Sequence, residues 1–288
     1  MVARNAAVAW FGALLFGLTS ACSPTAPPTA YAALHAARGR PDEAARVLRA
    51  RLVQAPEDAE ARRELVRVLG SLRRLDEAEA EAERLRELLG ETSPIPLVEL
   101  GHAFELAHRY AEALELYDGA SELAPNDPLG PRTGGLRAAR WGELEWAEPR
   151  LVEALRRNIS DATIWHALGL VRVHQGRLKE AESAYRSGLA QSPRSFENRI
   201  GLATIALQRH DWGAALHEYD AIAADWPDHA DAHLGRAYVL WRMGHVAAAR
   251  AALERARVGG ADPRALSRLE RAVGGDVVEQ REGSSTKP

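Results

Sequence analysis

Ten histidines and a single cysteine are the side chains of this 288-residue chain best suited to metal or nucleophile chemistry, so their spacing is read first. His217-Glu218 opens like a helical zinc motif, but Ala221 stands four residues on, where the second histidine would have to be. His229 and His233 are one helical turn apart, beside Asp228 and Asp231. That cluster reads as the surface of a helix start in preference to a metal site. No Gly-rich phosphate loop and no Gly-x-Ser-x-Gly elbow occurs. The expectation is a chain with no catalytic residues, no cofactor and no metal. Cys22, the one cysteine, cannot form an intrachain disulfide or a cysteine-based zinc site.

The position of Cys22 is informative. Arg4 is followed by an apolar run, Ala6 to Leu18, and then by the small residues Thr19, Ser20 and Ala21. This is the layout of an export signal, and thirteen apolar residues fall short of the roughly 20 that span a bilayer. Thr19-Ser20-Ala21-Cys22 resembles the lipobox of bacterial lipoproteins. The resemblance implies cleavage before Cys22 and lipidation of its thiol, so residues 1–21 are expected to be a signal peptide. Thr19 departs from the Leu usual at that place. In such lipoproteins an Asp after the cysteine favours inner-membrane retention, so Ser23 points to the periplasmic face of the outer membrane in a cell that has one. Residues 22–28, rich in proline, read as a short, stiff tether.

Positioning of the remaining side chains falls to helices. Ala, Leu, Arg and Glu dominate, and these are strong helix formers. An alanine recurs at Ala44, Ala78, Ala113, Ala147, Ala181, Ala215 and Ala249, at intervals of 34 residues with one of 35. Such a period is the signature of a stacked two-helix repeat. In the clearest copy Trp165, Leu168 and Gly169 lie on a first helix, Gly176 in a turn, Ala181, Tyr185 and Leu189 on a second, and Pro193 ends the unit. Small residues let helices approach, bulky ones fill the space between units, and proline stops the second helix. Asp58, Asp127, Asp161, Ser195 and Asp228 are placed to cap first helices. Pro131 and Gly134-Gly135 predict a short or bent helix and a weak joint in the fourth unit. Asp262-Pro263 starts a capping helix, residues 262–274, whose end is expected at Gly274-Gly275, with a disordered tail over 275–288.

These residues resemble the tetratricopeptide repeat over residues 29–261. The resemblance implies an all-α, right-handed superhelical solenoid of about seven helix-turn-helix units. It also implies a concave groove, lined by the first helices, that takes up partner segments. Carried over by position, the groove is lined by Arg132, Arg140, His166, Leu170, Val173 and His174. Thr204, Leu207, Leu234, Tyr238, Trp241 and Arg242 continue it, and Arg63, Arg67, His102 and Glu105 extend it into earlier units. Tyr238, Trp241 and Arg242 are candidate anchors for an amphipathic or apolar segment; the competing reading packs them on neighbouring helices. Trp141, Trp146, Trp212 and Trp226 read as packing between units.

With 37 basic and 40 acidic residues interspersed, there is no basic stripe for nucleic acid. The expected function is therefore a lipid-anchored envelope scaffold that binds proteins and is not an enzyme. Its architecture is similar to lipoproteins that assemble type IV and Tad pili and their secretin pores, which makes a secretin or another envelope-complex subunit the expected partner. Adaptors that recruit a peptidoglycan hydrolase or protease, and accessory lipoproteins of exopolysaccharide export, are the alternatives.

Overall fold

The structure is a computed structural model, and it describes residues 36, 38–158 and 160–284. Cys22, the signal segment and the tether lie outside the described residues. So do residues 29–35, where the first helix of the first unit is expected, and residues 285–288. Every described element is a helix. Helix α1 (Pro41–Gln54) is the second helix of the first unit. Six complete pairs follow: α2 (Ala59–Ser71) with α3 (Leu75–Leu89), α4 (Ile95–Leu106) with α5 (Tyr110–Leu123), and α6 (Leu129–Trp141) with α7 (Leu144–Arg157). Then come α8 (Ala162–His174) with α9 (Leu178–Gln191), α10 (Phe196–Gln208) with α11 (Trp212–Asp225), and α12 (Ala230–Arg242) with α13 (Val246–Val258). Helix α14 (Pro263–Ser284) closes the array against α12 and α13.

The seven register alanines are all fully buried. A methyl group at each register position leaves room for the paired first helix to pack closely. Tyr117 and Tyr185 on second helices are the largest fully buried side chains. A Cβ on Gly169 would come within 2.3 Å of the Tyr185 ring, and one on Gly201 of the next unit within 2.5 Å. Tyr185 is thus clamped between its own first helix and the following one, which is how burial couples neighbouring units.

The turn between the two helices of a unit repeats one geometry. A residue with φ between 57° and 85° sits at Gly39, Arg73, His108, Gly142, Gly176, His210 and Gly244. It allows the next amide to bond back to the helix end, as Arg177 N does to Arg172 O at 2.8 Å. Glycine adopts this conformation freely; Arg73, His108 and His210 hold it against Cβ strain.

Three of the five expected caps stand at the cap position, and Asp127 and Asp228 lie one residue before it. Asp58, Asp161 and Ser195 accept first-turn amides at the starts of α2, α8 and α10. Asp127 accepts from Leu129 N at 2.8 Å. At α12 the cap is His229, whose Nδ1 accepts from Ala232 N, and not Asp228. A side-chain device ties the linkers down: Arg62 donates to Pro56 O at 2.6 Å, Arg199 to Pro193 O at 2.8 Å, and His233 Nε2 to Pro227 O at 2.7 Å. Buried Arg157 donates to the carbonyls of Ser121, Ala124 and Asp127, satisfying the end of α5.

The weak joint expected at Gly134-Gly135 is not found. Helix α6 runs unbroken through Pro131, Gly134 and Gly135. A Cβ on Gly135 would meet Leu151 N and Cγ at 2.9 Å, and one on Gly130 would meet Ser121 N at 2.6 Å. The glycines are close-approach points between α6 and its neighbours, so tertiary packing overrides their poor helix propensity. The expected stop at Gly274-Gly275 is also corrected, because α14 continues to Ser284. Two glycines weaken a helix by about 1 kcal/mol each but do not remove its hydrogen bonds, as proline would.

Candidate functional site

The first helices of units two to six lie side by side, α2 against α4, α4 against α6, α6 against α8, and α8 against α10. Their packing faces are buried, and the remaining face of each is free to line a groove. One part of that groove is a cleft of about 430 Å³ across units two to four. Arg63 and Arg67 come from α2, Ile95, Val98, Glu99 and His102 from α4, and Leu129, Arg132, Thr133, Leu136, Arg137 and Arg140 from α6. Arg132 and Arg140 therefore line one cleft with Arg63, Arg67 and His102.

The floor of this cleft is a carboxylate. Glu99 is 1% exposed. Arg63 Nε donates to its Oε1 at 2.8 Å and Arg67 Nη2 to the same oxygen at 2.8 Å, while His102 Nδ1 lies 3.4 Å from Oε2. Burial works against its charge, but the hydrogen bonds from His102, Arg67 and Arg63 prevail and hold its pKa at about 2. Arg132 donates to Asp161 at 2.7 Å and Arg137 approaches Glu105 at 3.2 Å. Arg140 is exposed and has no carboxylate partner among the described residues. Behind the cleft Tyr117 donates to Glu105 at 3.5 Å, and burial pushes its hydroxyl pKa well up.

Farther along, Leu170 is 42% exposed and His174 is exposed, whereas His166 is half-buried beside Tyr185 with ring centroids 5.9 Å apart. Burial lowers the His166 pKa, so its imidazole is neutral at pH 7. Leu207 and Leu234 are half-buried against the cores of the last units. Tyr238, Trp241 and Arg242 meet one another rather than the arginine cleft. The Arg242 guanidinium sits 4.7 Å above the Trp212 ring and donates to the Tyr238 hydroxyl at 3.2 Å. Tyr238 also packs on Trp212 and Trp241 at 6.2 and 5.9 Å between centroids. Trp141 packs on Tyr110 and Trp226 on Phe196, while Trp146 is 44% exposed.

Sequence reasoning missed Glu99 and the role of Trp212. In the 34-residue register Glu99 stands where later units carry Thr133, Ala167, Gly201 and Gly235. Unit two carries Glu64 at the same place, so two charged residues followed by small ones were the available signal. His229 and His233 are occupied in capping α12 and in holding Pro227. Among the described residues no group of three or more His, Cys, Asp or Glu is placed to hold a metal ion. No described helix is long and apolar enough to cross a membrane.

Comparison with known proteins agrees with this geometry. Models of the tetratricopeptide repeat match residues 29–68, 134–196 and 200–266. The TPR repeat-containing thioredoxin TTL4 of Arabidopsis thaliana is 34% identical over 129 residues, 41% of this chain. The match spans 18% of that protein's length. Among solved structures, the C-terminal part of a TPR repeat-containing protein from Cytophaga hutchinsonii superposes with a TM-score of 0.60 at 16% identity, covering 83% of this chain and 98% of that one. YrrB, a TPR protein with an unusual peptide-binding site, gives 0.55 at 18% identity over 66% of this chain and 97% of its own. These two likenesses bear on the fold alone. With its 34-residue register, its stacked helix pairs and family matches over more than half its length, the chain belongs to the tetratricopeptide repeat family.

Proposed function

We propose that this protein is a binding scaffold that takes up a segment of a protein partner in the groove lined by its first helices. The observation that carries the reading is the cleft across α2, α4 and α6. It gathers side chains from three units, and the side chains of Arg63, Arg67 and Arg132 keep about 40% of their surface exposed there. YrrB, similar in fold, is a TPR protein with a peptide-binding site, which supports the reading by analogy. The Thr19-Ser20-Ala21-Cys22 sequence supports a lipid anchor at the N-terminal end, and Ser23 supports the outer membrane as its site. In that setting the scaffold serves assembly of an envelope complex, with a pilus secretin or a similar subunit as partner.

The test is capture of partners from solubilised envelopes by wild type, by Arg140→Glu with Leu170→Asp in the groove, and by Val152→Asp on a second helix. Helical circular dichroism is checked for each. Loss of capture in the groove variant alone supports the reading, and equal capture by all three overturns it. Recovery of wall hydrolases instead of pore subunits reassigns the scaffold to recruitment of those enzymes.

A further inference from the structure

We propose that the section of the groove across α2, α4 and α6 selects an acidic segment of the partner, with carboxylates read by arginines and apolar residues seated between them. This rests on the groove reading above and names the chemistry of its occupant. Five guanidinium groups line the cleft and one carboxylate, Glu99, forms its floor. Counting every carboxylate that pairs with those arginines (Glu64, Glu99, Glu105 and Asp161) still leaves five cations against four anions. The charge surplus is concentrated where a ligand would lie.

Glu99 is a positioning residue in this scheme. It is too buried to meet a ligand, and it fixes Arg63 and Arg67 from below. Their side chains remain 40% and 37% exposed, with donors left over for a second carboxylate. Guanidinium forks match carboxylates in paired hydrogen bonds, which favours discrete acidic side chains. Arg140 is exposed with no carboxylate partner among the described residues, so engaging it breaks no existing ion pair. Val98 and Leu136 supply apolar wall between the charges. A nucleic-acid backbone fits less well, because its phosphates would leave the apolar wall of Val98 and Leu136 unused.

The probe is a fluorescent peptide of about twelve residues alternating Glu-Glu-Leu, compared by anisotropy with its Gln and Lys counterparts and with an oligothymidylate of equal charge. Full-length protein is used, with Arg140→Glu as the groove variant and Arg156→Glu, on an exposed second-helix face, as control. Arg140 makes no ion pair among the described residues, so its substitution is expected to leave folding intact, which circular dichroism checks. The expected result is preferential binding of the Glu peptide, weakened about tenfold or more by Arg140→Glu and again by raising salt from about 50 to about 500 mM. Arg156→Glu is expected to leave it unchanged. Equal binding of the Gln peptide, indifference to Arg140→Glu, or equal binding of the oligothymidylate overturns the proposal. If the peptide fails while natural partners are still captured through the groove, the acidic specificity falls and the scaffold reading stands.

Discussion

Replacing Glu99 with glutamine tests the electrostatic design of the cleft through stability. The carboxyl is held at about 2, against an ordinary value of 4.5. A shift of about 2.5 units at about 1.4 kcal/mol each sets a ceiling near 3 kcal/mol on what the charged form contributes. The partners Arg63 and Arg67 are 40% and 37% exposed, so water screens part of this and about 2 kcal/mol is the working figure. The sign follows from the depressed folded pKa. The contribution is complete above the unfolded value near 4.5 and is lost as pH falls toward about 2. At about pH 3 less than half of it remains. Urea unfolding of wild type and Glu99→Gln is followed by circular dichroism at pH 7 and pH 3. Because a repeat array does not have to unfold in one step, amide hydrogen exchange of α2, α4 and α6 is read alongside. Wild type is expected to be more stable by about 2 kcal/mol at pH 7, with the gap shrinking to under half at pH 3. A gap of the same size at both pH values would refute the reasoning.

Other outcomes follow from the same structure. Arg73→Gly or His210→Gly relieves a Cβ held at φ 58° or 57° and is expected to raise stability by about 0.5–1 kcal/mol, whereas Gly176→Ala lowers it by a similar amount; thermal denaturation reads both. Gly135→Ala pushes a methyl against Leu151 and is expected to cost about 1–3 kcal/mol, with faster hydrogen exchange in α6 and α7. A neutral result there would revive a loose joint. Cys22→Ser is expected to move the protein from the membrane fraction to the soluble fraction and to abolish fatty-acid labelling; persistent labelling would remove Cys22 as the site of lipidation.

The fold was legible because it is periodic. A 34-residue register of alanines needs close helix contacts at every copy, and each of those alanines is buried. The recurring turn glycine was legible too, but its replacement by Arg73, His108 and His210 shows that geometry persists where the residue type changes. Gly134-Gly135 was misread because propensity treats a helical glycine as a defect, while contact with Leu151 and Tyr117 makes it a requirement of close packing. At α12 the spacing singled out Asp228, yet the helix begins one residue later and is capped by His229. The groove was legible as a list of positions but not as two regions of different chemistry. That division depends on which arginines find carboxylates in other units, as Arg132 finds Asp161 and Arg63 finds Glu99. Such pairs join residues far apart in sequence, and no local pattern announces them.

The central claim is that the groove, and not the outer face, receives the partner. Photo-crosslinking amino acids placed singly at Arg140, Leu170 and His174 in the groove, and at Leu88 and Val152 on exposed second-helix faces, test it in intact cells. The account predicts one recurrent crosslinked protein from the groove positions and none of it from Leu88 or Val152. The same protein captured equally from Leu88 and Val152, or from those two alone, would contradict it.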